Sequence, residues 1–213
     1  DTGSIVNGNI QAGGYQNDHF ILQGTGSYAG NVTGMARVAM TGTDWTLSGN
    51  VTAGDNVAGA VHAQSGRLTV TGLLSTSGTA ANMLIDSGAV VQVGSGGTIG
   101  AVSGAIEDNG TLIFNRSDAL SYGGVISGTG GVTKLGAGTT TFTADQTYTG
   151  NTLISVGTLQ LGDGGTGGRI AGPVEDNGAL SINRIDAVTL PGAISGTGRL
   201  AQAGTGTTIL TGD

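Results

Sequence analysis

Gly124–Gly162 reads GVISGTGGVTKLGAGTTTFTADQTYTGNTLISVGTLQLG. Short runs of Val, Ile, Leu and Thr alternate with glycine-rich corners, the pattern of brief strands and tight turns. Weaker forms of the same beat run through the rest of the chain. A glycine, any residue and an apolar residue recur at Gly66-Arg67-Leu68, Gly88-Ala89-Val90, Gly110-Thr111-Leu112, Gly130-Gly131-Val132, Gly157-Thr158-Leu159, Gly178-Ala179-Leu180 and Gly198-Arg199-Leu200. The apolar members recur at a nearly constant interval, with one longer step from Val132 to Leu159. Upstream, Gly8-Asn9-Ile10, Gly30-Asn31-Val32 and Gly49-Asn50-Val51 keep a similar interval.

After each beat the chain alternates. Leu68 and Val70 share one face of Arg67-Leu68-Thr69-Val70-Thr71, as do Leu112 and Phe114 further on. These are strands of about five residues with one buried side. A strand cycle of roughly 20–22 residues predicts a solenoid of about three strands per turn, each pairing in parallel with its copy one turn away. At about 4.8 Å per turn, some nine or ten turns make a rod on the order of 45 Å long. Asn at equivalent corners is expected to stack in ladders, and the narrow interior is expected to favour aliphatic over aromatic side chains.

A longer repeat overlies the short one. Residues 107–145 align with 175–213 at a constant offset of 68, and 21 of the 39 positions are identical. Both copies carry Glu-Asp-Asn-Gly, Asn-Arg-x-Asp-Ala and Ile-Ser-Gly-Thr-Gly. The offset reads as a unit three turns deep.

Composition narrows the function. Glycine supplies 44 of 213 residues and proline 2, which excludes collagen. Only 10% of residues are charged and apolar residues recur regularly, which argues against disorder. Few strong helix formers argue against helices. The net charge is −7 with basic residues dispersed, so neither nucleic acid nor an anionic membrane is the expected partner. Cysteine is absent, consistent with a reducing cytosol or with export through a narrow pore. No leader, membrane-length apolar run or lipidation signal stands out, and the chain reads as a segment of a longer protein.

Ile126-Ser-Gly-Thr-Gly130, the Lys134-x-Gly-x-Gly-Thr139 that follows, Thr147-Tyr148-Thr149-Gly150 and Val156–Gly162 are together similar to the autotransporter-associated β-strand repeat. That repeat occurs in passenger domains of Gram-negative autotransporters, the type V secretion proteins. Asn109–Asp118 resembles the segment that leads into it. The resemblance covers 105–213, leaving 1–104 as more divergent turns and the expected binding region. It implies a right-handed parallel β-helix on the cell surface or secreted. It also implies a C-terminal β-barrel translocator beyond this segment, and a role for the repeat in folding and passage across the outer membrane.

Several residues invite chemistry. Glu107-Asp108 and Glu175-Asp176 pair carboxylates as glycan-active β-helices do, but each precedes Asn-Gly and reads better as a solvated, capping turn. Arg116 with Asp118, and Arg184 with Asp186, read as exposed local ion pairs. Gly162-Asp163-Gly164-Gly165-Thr166-Gly167-Gly168 resembles a calcium-binding repeat but does not recur in tandem. His19 and His62 lack the companions of a metal site. Ile85-Asp86-Ser87-Gly88 resembles a protease nucleophile motif without evident partners. Tyr15, Tyr28 and Trp45 are the candidate contacts for a ligand, although Trp45 reads better as buried in a wider turn; Tyr122 is a further exposed-aromatic candidate, and Tyr148, inside the repeat, reads as structural.

The sequence therefore predicts a non-enzymatic surface adhesin or its stalk, without cofactor or metal. The expected partners are a host cell surface, matrix protein or glycan, or sister bacteria. A pure export scaffold and a glycan-active enzyme are the alternatives.

Overall fold

Alternating strands bury their apolar side only if each is covered, and here each is covered by its own copies. The computed structural model describes residues 2–6, 8–13, 18–54, 59–77 and 82–212, with the backbone only for Thr2–Val6. Among the described residues there are 28 short strands and no helix. They stack in parallel columns as a β-solenoid.

The first face is a continuous ten-stranded sheet running from Thr2–Val6 through Arg67–Val70, Thr111–Phe114 and Gly131–Lys134 to Ile194–Ser195, so the chain makes about nine turns. Thr25, Asp44, Arg67, Val90, Thr111 and Gly131 follow one another in register. The turns differ a little in length, the shortest of these running from Thr25 to Asp44 and the longest from Asp44 to Arg67 and from Arg67 to Val90. The second face holds five strands ending at Ala101–Ser103, against which the five strands that start at Leu120–Tyr122 continue. The third face runs from His19–Leu22 to Ile126–Ser127, and later resumes with Val188–Leu190 and Thr208–Leu210. Between these, Thr147 N–H still bonds Ile126 O at 2.9 Å, and the buried Gln146 carboxamide stands in for a strand. It accepts from Ile126 N–H at 2.6 Å and donates to Gly124 O at 3.2 Å.

The core is a set of side-chain stacks along the axis. Leu68, Val91, Leu112 and Val132 lie one above another, as do Leu47, Val70, Val93 and Phe114, all buried. The expected Asn ladder is present at the corner between the first and second faces. Asn9, Asn31 and Asn50 each accept, through Oδ1, the backbone N–H of the residue stacked above, at 2.9 to 3.1 Å.

The interior is mainly aliphatic as expected, but the expectation that aromatics mostly do not fit is corrected. Tyr28, Trp45, Phe114, Tyr122, Phe142 and Tyr148 are all buried inside the coil. Turns are held at strand spacing, so a large ring fits only where the neighbouring turn gives up volume. Gly26 pairs with Trp45 in register, and a Cβ there would lie 2.7 Å from the indole. Tyr28 and Tyr122 each end a strand and donate to a glycine carbonyl of the previous turn, Gly8 O at 2.6 Å and Gly104 O at 2.7 Å.

The three-turn depth of the long repeat is also corrected. Leu112, Val132, Thr152 and Val174 stack directly, so three turns carry the chain from position 112 to 174, short of the position 180 that the repeat offset would reach. The copy therefore lands one face further round. Thr111–Phe114 lies on the first face, and its copy Ala179–Ile182 lies on the second. Ala105–Asp108 lies on the third face, and the copy Val174–Asp176 lies on the first.

Packing of glycine against indole is directly testable. Gly26→Ala is expected to destabilise the coil by about 1–3 kcal/mol through overpacking. Combined with Trp45→Leu, which makes room, its added cost should shrink, giving a coupling of about 0.5–3 kcal/mol in a urea-unfolding double-mutant cycle. Strict additivity of the two substitutions would contradict the contact.

Candidate functional site

The paired carboxylates separate into two kinds of residue. Glu107 and Glu175 face solvent, whereas Asp108 is fully buried and Asp176 is 4% exposed. Alternation in Ala105–Asp108 sends Ile106 and Asp108 inward together. Each aspartate turns back on its own corner. Asp108 Oδ1 accepts from Gly110 N–H and Asp176 Oδ1 from Gly178 N–H, both at 3.0 Å. The turn is capped as expected, but the aspartates are not solvated. They are not stacked three turns apart either, because they occupy different faces. Gly130 and Gly198 on the following turn leave space for them, since a Cβ would come within 2.6 Å and 2.5 Å of the respective carboxyl carbons. Asp108 Oδ2 has no hydrogen-bond partner among the described residues, and burial raises the Asp108 pKa to about 6.

Lys134, the lysine of the repeat motif, also points inward. It is 1% exposed, takes the stack position between Phe114 and Ile154, and donates from Nζ to Gly136 O and, at 3.4 Å, to Val156 O. Burial lowers its pKa to about 8. Its copy Gln202, exposed in the last turn, donates to the equivalent glycine carbonyl, Gly204 O, and to Gly206 O, both at 3.1 Å. Tyr148 is fully buried, with its hydroxyl 2.6 Å from Thr152 Oγ1, and burial pushes the Tyr148 and Tyr122 phenols well above their ordinary range.

The Asn-Arg-x-Asp pairs form as expected, with the aspartates open to solvent but the arginine side chains largely buried. Arg116 Nε and Nη2 grip both oxygens of Asp118 at 2.8 and 2.7 Å, and Arg184 holds Asp186 at 3.0 and 2.9 Å. The arginine side chains are only 12% and 6% exposed. The hydrogen bonds from Arg116 hold the Asp118 carboxyl below its ordinary value. Asp145 adds a second carboxylate to Arg184 at 3.4 Å.

These arginines explain the calcium-like loop. Gly162–Gly168 does recur, one long repeat earlier, as Gly94-Ser-Gly-Gly-Thr-Ile-Gly100. Gly94 and Gly162 adopt left-handed φ of 82° and 84°, Gly96 and Gly164 of 92° and 96°. Gly96 N–H bonds Asn115 O, and Gly164 N–H bonds Asn183 O, each at 2.8 Å. The arginine stem packs beside Gly94 or Gly162, where a Cβ would meet Cγ at 2.8 or 2.9 Å. The loop is a bracket for an arginine. Among the described residues no group of three or more His, Cys, Asp or Glu is placed to hold a metal ion.

One constellation was missed by sequence reasoning. His62 donates from Nε2 to Asp86 Oδ2 at 2.8 Å, while its Nδ1 accepts from Arg37 Nη2 at 2.6 Å and Gln64 Nε2 at 3.2 Å. Three turns are thereby cross-linked on the third face, with His62 only 8% exposed. The protease-like motif does have a histidine partner, but not a triad. Both imidazole nitrogens are already engaged, so none is left to take a proton from Ser87. His19 is exposed on the neighbouring strand position beside Arg37 and does not join it. The local turn period, which brings position 39 over 62 and 62 over 84, is the signal that would have found this ladder.

Of the ligand-contact candidates, Tyr28 is 1% and Trp45 5% exposed, so both rings are inside the coil; Trp45 Nε1 donates to Gln23 O at 3.1 Å. Tyr122, 2% exposed, is inside as well. Tyr15 lies outside the described residues.

The passenger-associated-transport-repeat family matches residues 132–161. Among curated proteins, the chain is 40% identical over 93 residues to the Adhesin BmaC autotransporter of Brucella suis biovar 1 (strain 1330). That alignment covers 44% of this chain and 3% of the relative, so the chain corresponds to a small part of such a protein. No solved structure matches significantly. The two matches support an autotransporter passenger built of such repeats, a cell-surface or secreted protein of Gram-negative bacteria.

The buried carboxyl predicts the pH response. Unfolded, Asp108 titrates near 3.8; folded, near about 6. The native coil therefore holds an extra proton between these values, and its stability falls as pH rises through that window. The loss is at most about 3 kcal/mol. Asp108→Asn, which keeps the acceptor for Gly110 N–H, is expected to flatten the stability profile between pH 4 and 6 in urea melts. An unchanged slope would remove Asp108 as its source.

Proposed function

We propose that this segment belongs to a surface-displayed adhesin, that residues 105–213 form its stalk, and that the repeats aid export by folding outside the cell. The observation that carries this reading is where the family match falls. Residues 132–161 take in all but the first residue of the strand Gly131–Lys134, and the strands Thr139–Phe142, Thr152–Ile154 and Thr158–Leu161 with their corners. Of the residues that make the motif recognisable, Lys134, Tyr148, Leu159 and Leu161 are buried there, while Thr149 and Val156 turn outward at corners. A motif written in inward side chains encodes a fold rather than a ligand contact. The name of the BmaC relative supplies the adhesin half of the reading, and a rod-shaped coil suits the holding of a binding region away from the membrane.

The role is non-enzymatic: the carboxylates are spent on corners and the His62–Asp86 pair has no free nitrogen. Contact with a host or other surface is assigned to residues 1–104, upstream of the family-matched repeat.

Stacking of Val132 on Thr152 means that removing residues 132–151 excises one whole turn in phase. In the full-length protein on its own cells, this deletion is expected to lower surface display and leave adhesion per displayed molecule unchanged. Undiminished display would sink the export role. Lost adhesion at equal display would sink the stalk reading.

A further inference from the structure

The chain contains three Asn-Gly pairs, at Asn7, Asn109 and Asn177. Such pairs are the chemically weakest points of an unfolded chain. Glycine carries no side chain to shield its nitrogen, which can reach the asparagine Cγ. The Gly N–Cγ bond forms, the Cγ–Nδ2 bond breaks, and ammonia leaves with the glycine proton. Water then opens the resulting succinimide to aspartate or isoaspartate.

Asn7 lies outside the described residues. Asn109 and Asn177 stand at equivalent corners, and the same three restraints act on each. The attacking nitrogen is tied down: Gly110 N–H is given to Asp108 Oδ1, and Gly178 N–H to Asp176 Oδ1, at 3.0 Å. The carboxamide oxygen is held from the next turn: Thr129 N–H and Oγ1 both donate to Asn109 Oδ1 at 3.2 Å, and Thr197 does the same for Asn177. The leaving nitrogen is drawn back along the strand, Asn109 Nδ2 to Glu107 Oε1 at 3.4 Å and Asn177 Nδ2 to Glu175 Oε1 at 3.1 Å. Nucleophile and Cγ are thus pulled towards different partners, although Asn109 is half-buried and Asn177 exposed to water.

We infer that Asn109 and Asn177 are deamidation sites that the folded coil keeps silent through this latch. The consequence is a one-way clock on folding. Isoaspartate routes the main chain through the former side chain, adding a backbone atom to the corner and taking away the oxygen that Thr129 or Thr197 engages. A chain left unfolded too long acquires corners that no longer fit, while a chain already coiled is protected. The chemistry of the latch does not depend on the export reading; only the biological setting of the clock does.

The intact chain incubated in mildly alkaline buffer, with and without denaturing urea, supplies the test. Peptide mass spectrometry that distinguishes isoaspartate reads each site. Conversion at Asn109 and Asn177 is expected to be roughly tenfold or more slower in the coil, equivalent to at least about 1.4 kcal/mol of local opening. Equal rates in coil and urea would overturn the inference. Thr129→Val, which keeps the N–H donor but loses the hydroxyl, is expected to raise the native rate at Asn109 several-fold and leave Asn177 unchanged. A rise at both sites alike would assign protection to global stability, and no rise at Asn109 would remove the threonine from the latch.

Discussion

Everything in this coil follows from the spacing at which parallel strands bond, about 4.8 Å from one turn to the next. Each turn satisfies its backbone with the turns above and below, so no turn is stable alone. At that spacing the corners have no room to spare. A Cβ at Gly150, Gly172 or Gly192 would press on the glycine carbonyl of the preceding turn, Gly130, Gly150 and Gly172 respectively. Glycine content is therefore a steric demand of the stacked corners as much as a demand for unusual φ.

The same spacing explains why polar and charged groups are buried. A corner leaves carbonyls and amides without ladder partners, and an unpaired buried backbone group costs about 1–3 kcal/mol. Asp108 and Asp176 supply acceptors to glycine N–H groups; Lys134 and Gln146 supply donors to carbonyls. A lysine and a glutamine at equivalent positions each donate to the equivalent glycine carbonyl, Gly136 O and Gly204 O, so what the position requires is a donor rather than a charge. Burying an ionised aspartate still costs, which is why Asp108 titrates high.

Much of the fold was legible because solenoid turns are local. The strands, the parallel stacking, the Asn ladder and the Arg–Asp pairs follow from short periods in the sequence. What sequence could not supply was the size of the space inside. Trp45 reads from sequence as a buried ring or a contact, and what makes room for it, Gly26, belongs to the preceding turn. The Arg37–His62–Asp86 ladder was hidden for the same reason: its members come from three different turns, of unequal length. Fold and site differ in legibility because strand periodicity is repeated many times, whereas each side-chain constellation occurs once.

One irregularity in the sequence already held the least expected feature. The apolar beat takes its one long step between Val132 and Leu159, where the steps on either side are shorter and nearly equal. Val132 is on the first face and Leu159 on the second, so the long step is one turn plus a change of face. The arginine bracket accordingly follows a first-face strand at Gly94 and a second-face strand at Gly162. Copies that bound an extended ligand running along the rod would need to align on one side of it, in phase with the turns. Copies that serve the interior have no such requirement, because every corner poses the same steric and hydrogen-bonding problem. Rotation of the repeat around the axis is what a unit selected for folding permits and what a row of identical binding sites forbids.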